Sequence, residues 1–394
     1  MLTIDDVASL TGLSQAAQGM KLRTSAGIDG ISLAQFREGL EETWLGEDII
    51  DSLKNGSYRP KPLRRKTLPK PNGTYRDIFV PTVQDRAAQR MLVSGLNKVT
   101  EPRFSEHSYG FRPKRNTQQA IAEAKGYVKN GLRVTYLIDL SNFFGNIDRE
   151  RLRKLLRDYS LDEQIRNLIN QFIKAPIIDC NKSIGTTGVP AGIPLAPLLA
   201  NIYLHPLDRE LERRQIAFIR YADDITLFFK DEHTIESFSN TEFLGTSEQR
   251  YGIRLNCLKT KLIATGHRPI LGFHLHDDGR VTFSPKVLDA IQYSLLGLLA
   301  SPKIQLTQIK ETVKSVLSSI LAYYKSVDNF DELKQRCDLI QESLRALILD
   351  RETPLAILFA AKWKIDRLED IEPHVELDAI FELLPSVETY SLCA

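Results

Sequence analysis

The chain has 394 residues, 42% of them hydrophobic, and a formal net charge of +2, enough for a sizeable core divided over two or three subdomains. Cys180, Cys257, Cys337 and Cys393 are scattered with no CxxC and no paired histidine, which argues against a zinc site or a disulfide framework and makes a reducing cytoplasm the expected location. The start, MLTIDDVASL, has no basic leader followed by an apolar core, and no apolar run is long enough to span a bilayer, so an unexported protein with no membrane partner is expected.

In chain order, residues 1–26 read as an amphipathic helix and linker, an N-terminal extension. The turn GIDG at 27–30 precedes a helical stretch over about 32–54, with Leu33, Phe36, Leu40, Trp44 and Leu45 spaced as core residues. The near-neutral charge hides an asymmetry. Lys54, Arg59, Lys61, Arg64, Arg65, Lys66, Lys70 and Arg76 follow one another with no acid between, whereas 366–388 is dominated by acids. A basic block of this kind suits a polyanion. Within it Asn72-Gly73 is a hairpin turn that sets Lys70 and Arg76 on either side of the tip, where two cations can grip a triphosphate. A helix over 86–99 follows. The loop SYGFRPKRNTQQA from 108 carries Arg112, Lys114 and Arg115, a trio suited to phosphate-backbone contact, and leads into a helix at Thr117.

The apolar strand VTYLID, 134–139, ends on an acid. Helices are expected over 149–159 and 161–174, then a hairpin over 176–187. The Gly/Pro-rich GVPAGIP gives way to a long apolar helix ending near Arg214. In FIRYADDITLFF, 218–229, two apolar strands meet at Ala222, Asp223 and Asp224. Adjacent carboxylates repel and are hard to desolvate, so a fold keeps them in solvent or beside a cation. Strands this rich in Ile, Leu and Phe belong to a core, which directs their tip toward a cleft. Two divalent ions about 4 Å apart need hard oxygen ligands converging from separate strands, and Asp139 with Asp223 would supply them. Beyond lie a helix over 235–251, Lys259 and Lys261 near the carboxylates, a hairpin from LGF at 271–273, and an almost wholly helical remainder.

The ordered series GIDG, YRPKPLRRKTLPKPNGTYR, SYGFRPKRNTQQA, YLIDLSNFFGNID, GVPAGIPLAPLLANIYL, YADD, GIRLNCLKTK and LGF resembles that of bacterial reverse transcriptases, closest to the group II intron type, over about 27–276. The resemblance implies an α+β right-hand polymerase: fingers with part of the palm over 27–133, an antiparallel palm sheet flanked by helices over 134–283, and a helical thumb with an acidic tail over 284–394. It implies an RNA-directed DNA polymerase with Asp139, Asp223 and Asp224 as catalytic carboxylates and the Leu140 carbonyl as a further metal ligand. Two Mg²⁺ ions are the implied cofactors, with Mn²⁺ as an alternative.

By the same carry-over Lys70 and Arg76 hold the triphosphate, and Phe144 closes against a ribose 2′-hydroxyl, although a core role for it stands beside that reading. Arg64, Arg65, Arg112, Lys114, Arg115, Lys259 and Lys261 would contact nucleic acid. Where relatives carry Pro-Gln-Gly-Gly, this chain has Pro190, Ala191, Gly192 and Ile193. The amide that would meet the nucleotide is absent at Ala191, and Ile193 and Pro194 are expected to crowd the loop. With no nuclease cluster or retron signature found, the expectation is a stand-alone antiphage enzyme. It would make cDNA from a dedicated structured non-coding RNA, with a DNA or RNA primer and dNTPs, as a homo-oligomer or with an accessory protein. An intron-derived maturase or RNA-binding protein and a template-independent polymerase are the competing readings.

Overall fold

The computed structural model describes residues 1–21, 24–41, 44–69, 75–179, 182–184, 187–232, 249–284 and 306–349. Lys70, the Asn72-Gly73 turn, most of the helix expected over 235–251 and the acidic stretch 366–388 lie outside the described residues. Two compact units result. Met1–Leu68, Tyr75–Asn116 and Val134–Leu262 form the first; Thr117–Arg133 and the segment from Ile263 belong to the second.

In the first unit, α1 (Ile4–Val7) and α2 (Leu10–Gln18) pack on α5 (Val83–Thr100), so the N-terminal residues are part of the core rather than a linker. Gly95 makes room for this: a Cβ there would stand 2.5 Å from Val7 Cγ2. Leu2 is tied by backbone bonds of 2.7 Å to the Ser160 carbonyl and 2.9 Å from the Asp162 amide. The stretch read as one helix is α3 (Leu33–Glu41) and α4 (Trp44–Lys54). Leu33 and Phe36 are buried, but Trp44, the first described residue of α4, is 62% exposed and so is not part of the core. Strands β1 (Leu63–Pro69), β2 (Tyr75–Val80), β4 (Ile177–Asp179) and β5 (Lys182–Ile184) form a sheet of order β2-β1-β4-β5. The expected 176–187 hairpin is present and adds to β1 in parallel.

The second sheet of this unit has the order β6-β7-β3-β8, built from β3 (Val134–Ile138), β6 (Ala217–Tyr221), β7 (Asp224–Phe229) and β8 (Lys261–Ile263). Both β6 and β3 run antiparallel to β7. Phe218, Ile219, Leu227 and Phe228 are buried, as are most residues of α10 (Ala196–Arg213), including Leu199, Ile202 and Tyr203. The outer edge of β6 is occupied. His107–Tyr109 runs parallel to it, with the Arg220 amide donating to the His107 carbonyl and the Tyr109 amide to the Arg220 carbonyl, each at 2.8 Å. The short α7 (Phe143–Asn146), α8 (Arg149–Arg157) and α9 (Glu163–Ile173) complete the unit. Asp148 caps α8 and Asp162 caps α9, each side chain accepting from the free amides of its helix's first turn.

The second unit holds α6 (Thr117–Lys129), the antiparallel sheet β11-β10-β9 of β9 (His267–Ile270), β10 (Phe273–His276) and β11 (Val281–Phe283), and the helices Leu306–Tyr323 and Phe330–Leu349. Tyr323 and Tyr324 pack on Phe273 with ring centroids 5.2 and 4.9 Å away, and their hydroxyls donate to the carbonyls of Leu271 and Gly272. Their faces are therefore core surface. No helix among the described residues is long and apolar enough to cross a membrane.

Candidate active site

Strand register brings the acids together. Ile138 pairs with Ile225, so one further step of the antiparallel ladder sets Asp139 opposite Asp224. Tyr221 pairs with Asp224, leaving Ala222 and Asp223 as a two-residue hairpin loop with Asp224 as the first residue of β7. Ala222 has φ +55°, while Asp223 is not in the left-handed region; this is the φ pattern of a type II′ turn, where glycine would be the unstrained choice.

The electrostatics reflect that convergence. Loss of hydration, then the nearby Asp139 charge, raises the Asp223 carboxyl above its ordinary value, against the pull of Arg220 and Lys259. The Asp224 carboxyl is pushed up to about 7, by loss of hydration first and then by Asp223 and Asp139. Asp224 keeps an exposed surface, but the protein crowded around it displaces much of its hydrating water. Lys259 supplies partial compensation, its Nζ 3.6 Å from Asp139 Oδ2.

Asp139 is held by its main chain. Its amide donates to Thr260 Oγ1 at 3.4 Å and its carbonyl accepts from Asn256 at 2.8 Å, while Ser141 donates to Arg254 at 2.8 Å. Leu140 sits between those bonds in an antiparallel bridge to Leu255. In such a ladder the intervening residue turns its own carbonyl to the opposite edge, here the side on which β7 lies.

Phe143 and Phe144 separate cleanly. Phe143 is buried against Tyr203, with ring centroids 6.1 Å apart, whereas Phe144 is half-exposed. The backbone at Phe144 is fixed by the Val189 amide at 2.9 Å and by Gly188, where a Cβ would stand 2.0 Å from the Phe144 carbonyl oxygen. Ala191 accepts from the Phe79 amide at 2.7 Å, which ties its loop to β2, the strand that carries the exposed Arg76. Ile193 is 1% exposed, so its side chain enters the core.

The cation trio divides. Arg112 is a correction: it is 4% exposed, with its guanidinium on Glu101 at 2.9 Å and on the carbonyls of Ser105 and Ser108, so it pins its own loop and presents no charge to a phosphate. Lys114 is exposed, and Arg115 is paired with Glu106. On β1, Arg65 is paired with Asp77 at 2.8 Å, and Arg64, exposed, donates to the Ala26 carbonyl at 3.0 Å. Lys261 is exposed on β8. The sequence reading passed over Asn201, Asp208 and Arg220, all fully buried beneath the acid turn. Their signal was present: polar side chains inside the apolar runs ANIYLHPLD and FIRY.

A family profile described as "Reverse transcriptase (RNA-dependent DNA polymerase)" matches residues 68–275. The chain is 30% identical over 291 residues to Protein YkfC of Escherichia coli (strain K12), covering 62% of this chain and 75% of that protein. It is 34% identical over 221 residues to the group II intron-encoded protein LtrA of Lactococcus lactis subsp. cremoris, covering 55% of this chain but only 36% of LtrA. Among solved structures, telomerase from Candida albicans, determined in complex with a fragment of telomeric RNA, aligns at TM-score 0.45 and 12% identity over 91% of this chain and 71% of that one. This chain belongs to the reverse transcriptase family, the RNA-dependent DNA polymerases. Its mixed helices and antiparallel sheet agree with the right-hand polymerase fold of that family.

Proposed function

We propose that the chain copies an RNA template into cDNA from a nucleic-acid primer and dNTPs, with Asp139, Asp223 and Asp224 as the catalytic carboxylates holding divalent ions, Mg²⁺ in the first place. The observation that carries this reading is the strand register, which pairs Ile138 with Ile225 and Tyr221 with Asp224 and so brings the strand end at Asp139 to the turn that bears Asp223 and Asp224. Among the described residues no three His, Cys, Asp or Glu side chains stand close enough to form a metal cage. Mg²⁺ is bound by one or two carboxylates together with waters and substrate phosphates. The donor set is all oxygen, with the Leu140 carbonyl available on the same edge. Divalent ions bound there would lower the pKa of the primer 3′-hydroxyl and neutralise charge on the departing pyrophosphate.

The chain's own residues orient and select. Arg76 on β2 would grip the triphosphate with Lys70. Phe144, half-exposed on a fixed backbone, would exclude a ribose 2′-hydroxyl by bulk and so favour dNTPs. Lys114, Arg64, Lys259 and Lys261 are exposed cations suited to phosphate contact.

The finer reading, a dedicated structured RNA as template and a role in antiphage defence, is part of the proposal and rests on the unusual loop at 190–193. A second reading, an intron-derived RNA-binding protein, is favoured by the 34% identity to LtrA. Primer extension by the purified protein with dNTPs and Mg²⁺ tests the chemistry. Asp223→Ala should abolish it while leaving nucleic-acid binding largely intact, and normal extension by that variant would remove the assignment. Sequencing the copurifying nucleic acid and the product separates the defence and intron readings.

A further inference from the structure

Beneath the acid turn lies a buried polar cluster that the proposed chemistry does not use. Arg220 and Asp208 are both fully buried. Arg220 Nε donates to Asp208 Oδ1 at 2.7 Å and Nη2 to Oδ2 at 2.6 Å, a bidentate pair. Its remaining arm, Nη1, donates to Asn201 Oδ1 at 2.8 Å and to the Ala222 carbonyl at 2.9 Å. Asn201 and Asp208 are seven residues apart on α10 and therefore share a face. Asn201 Nδ2 in turn donates to the Gly110 carbonyl at 2.9 Å. Gly110 lies so close to the turn that a Cβ on it would stand 2.2 Å from the Ala222 nitrogen.

Stability is a weak reason for this arrangement. Desolvating two charges is costly, and a well-packed apolar pair of similar volume often serves the fold as well or better. An apolar pair could not hold the Ala222 carbonyl. Ala222 has φ +55° without being glycine, a disfavoured conformation that persists where its surroundings fix it.

We propose that Arg220, itself oriented by Asp208 and Asn201, is a positioning residue that fixes the Ala222–Asp223 turn and thereby the placement of Asp223 and Asp224 relative to Asp139. This rests on the reading of those acids as the metal-holding set. The lock acts on ion binding and on the turnover step, and leaves nucleotide binding alone.

The test compares Arg220→Lys, the apolar double variant Arg220→Met/Asp208→Leu, and Asp223→Asn by thermal melting and by primer extension across a Mg²⁺ series. The double variant should melt close to the unmodified protein, lose about 100-fold in kcat, as an ångström-scale misplacement does, keep its dNTP KM and need more Mg²⁺ for half-maximal rate. Arg220→Lys should show a smaller loss, partly recovered at high Mg²⁺. A double variant that melts normally and extends at the unmodified rate overturns the proposal. If the double variant does not fold, Arg220→Lys decides: a loss equal at every Mg²⁺ concentration overturns it. Extension by Asp223→Asn at the full rate would sink the catalytic reading itself, whereas an inactive Asp223→Asn beside fully active Arg220 variants sinks only the lock.

Discussion

Lys259 reaches Asp139 across 3.6 Å, Nζ to Oδ2, and so places a mobile cation at the cluster of acids. Its side chain is 62% exposed, so the pair contributes little to stability. The lysine therefore competes with divalent ions for the Asp139 carboxylate. Lys259→Ala should leave the melting temperature nearly unchanged yet tighten Mn²⁺ binding by roughly threefold, the equivalent of an exposed pair of about 0.6 kcal/mol. Titration calorimetry without nucleic acid measures this, and weaker Mn²⁺ binding by the variant would refute it.

The Asp224 carboxyl gives a pH dependence whose sign is fixed. Its pKa in the fold, about 7, lies above the ordinary 3.8, so between those values the native state binds more protons than the unfolded chain. Stability therefore falls as pH rises through that window, and the penalty is complete above about 7. In chelator, Asp224→Asn should melt above the unmodified protein at pH 8 and lose that advantage near pH 4. Parallel melting curves across the range would contradict the shift.

Arg112 and Lys114 should behave in opposite ways although they are two residues apart. Arg112→Ala leaves Glu101 and two carbonyls without their donor and should lower stability by about 3–5 kcal/mol. Lys114→Ala should leave melting unchanged and reduce the salt slope of nucleic-acid binding by about 1. Denaturant unfolding and binding at several salt concentrations would read out both.

Phe144→Ala should raise rNTP incorporation while leaving the fold intact, because the ring is half-exposed. Phe143→Ala, which empties a core position, should cost about 3–5 kcal/mol of stability. Sugar selectivity in single-nucleotide extension distinguishes the two, and an unchanged ratio in Phe144→Ala would count against the gate.

What could be read from the sequence was local chemistry on strong patterns. Asp139, Asp223 and Asp224 stood out because carboxylates end apolar strands, and the register then sets Asp139 opposite Asp224. Trp44 was misread because apolar spacing shows which residues share a helix face but not whether that end of the face is covered, and Trp44 is 62% exposed. Arg112 was misread because a cation's environment is decided by what folds around it, here Glu101 and the Ser105 and Ser108 carbonyls. The parallel addition of β4 to β1 joins residues more than a hundred apart and has no periodic signature. Arg220 stood out only as a polar residue inside an apolar run; its pairing with Asn201 and Asp208 of the preceding helix had no signature.

The segment His107–Tyr109 along β6 bears on how copies of the molecule can associate. An unclaimed strand border offers amides and carbonyls that recruit a foreign chain and so seed aggregation. At Arg220, next to the last residue of β6, those groups are already answered from within. Sheet growth at that point of β6 would therefore have to displace the chain's own segment first.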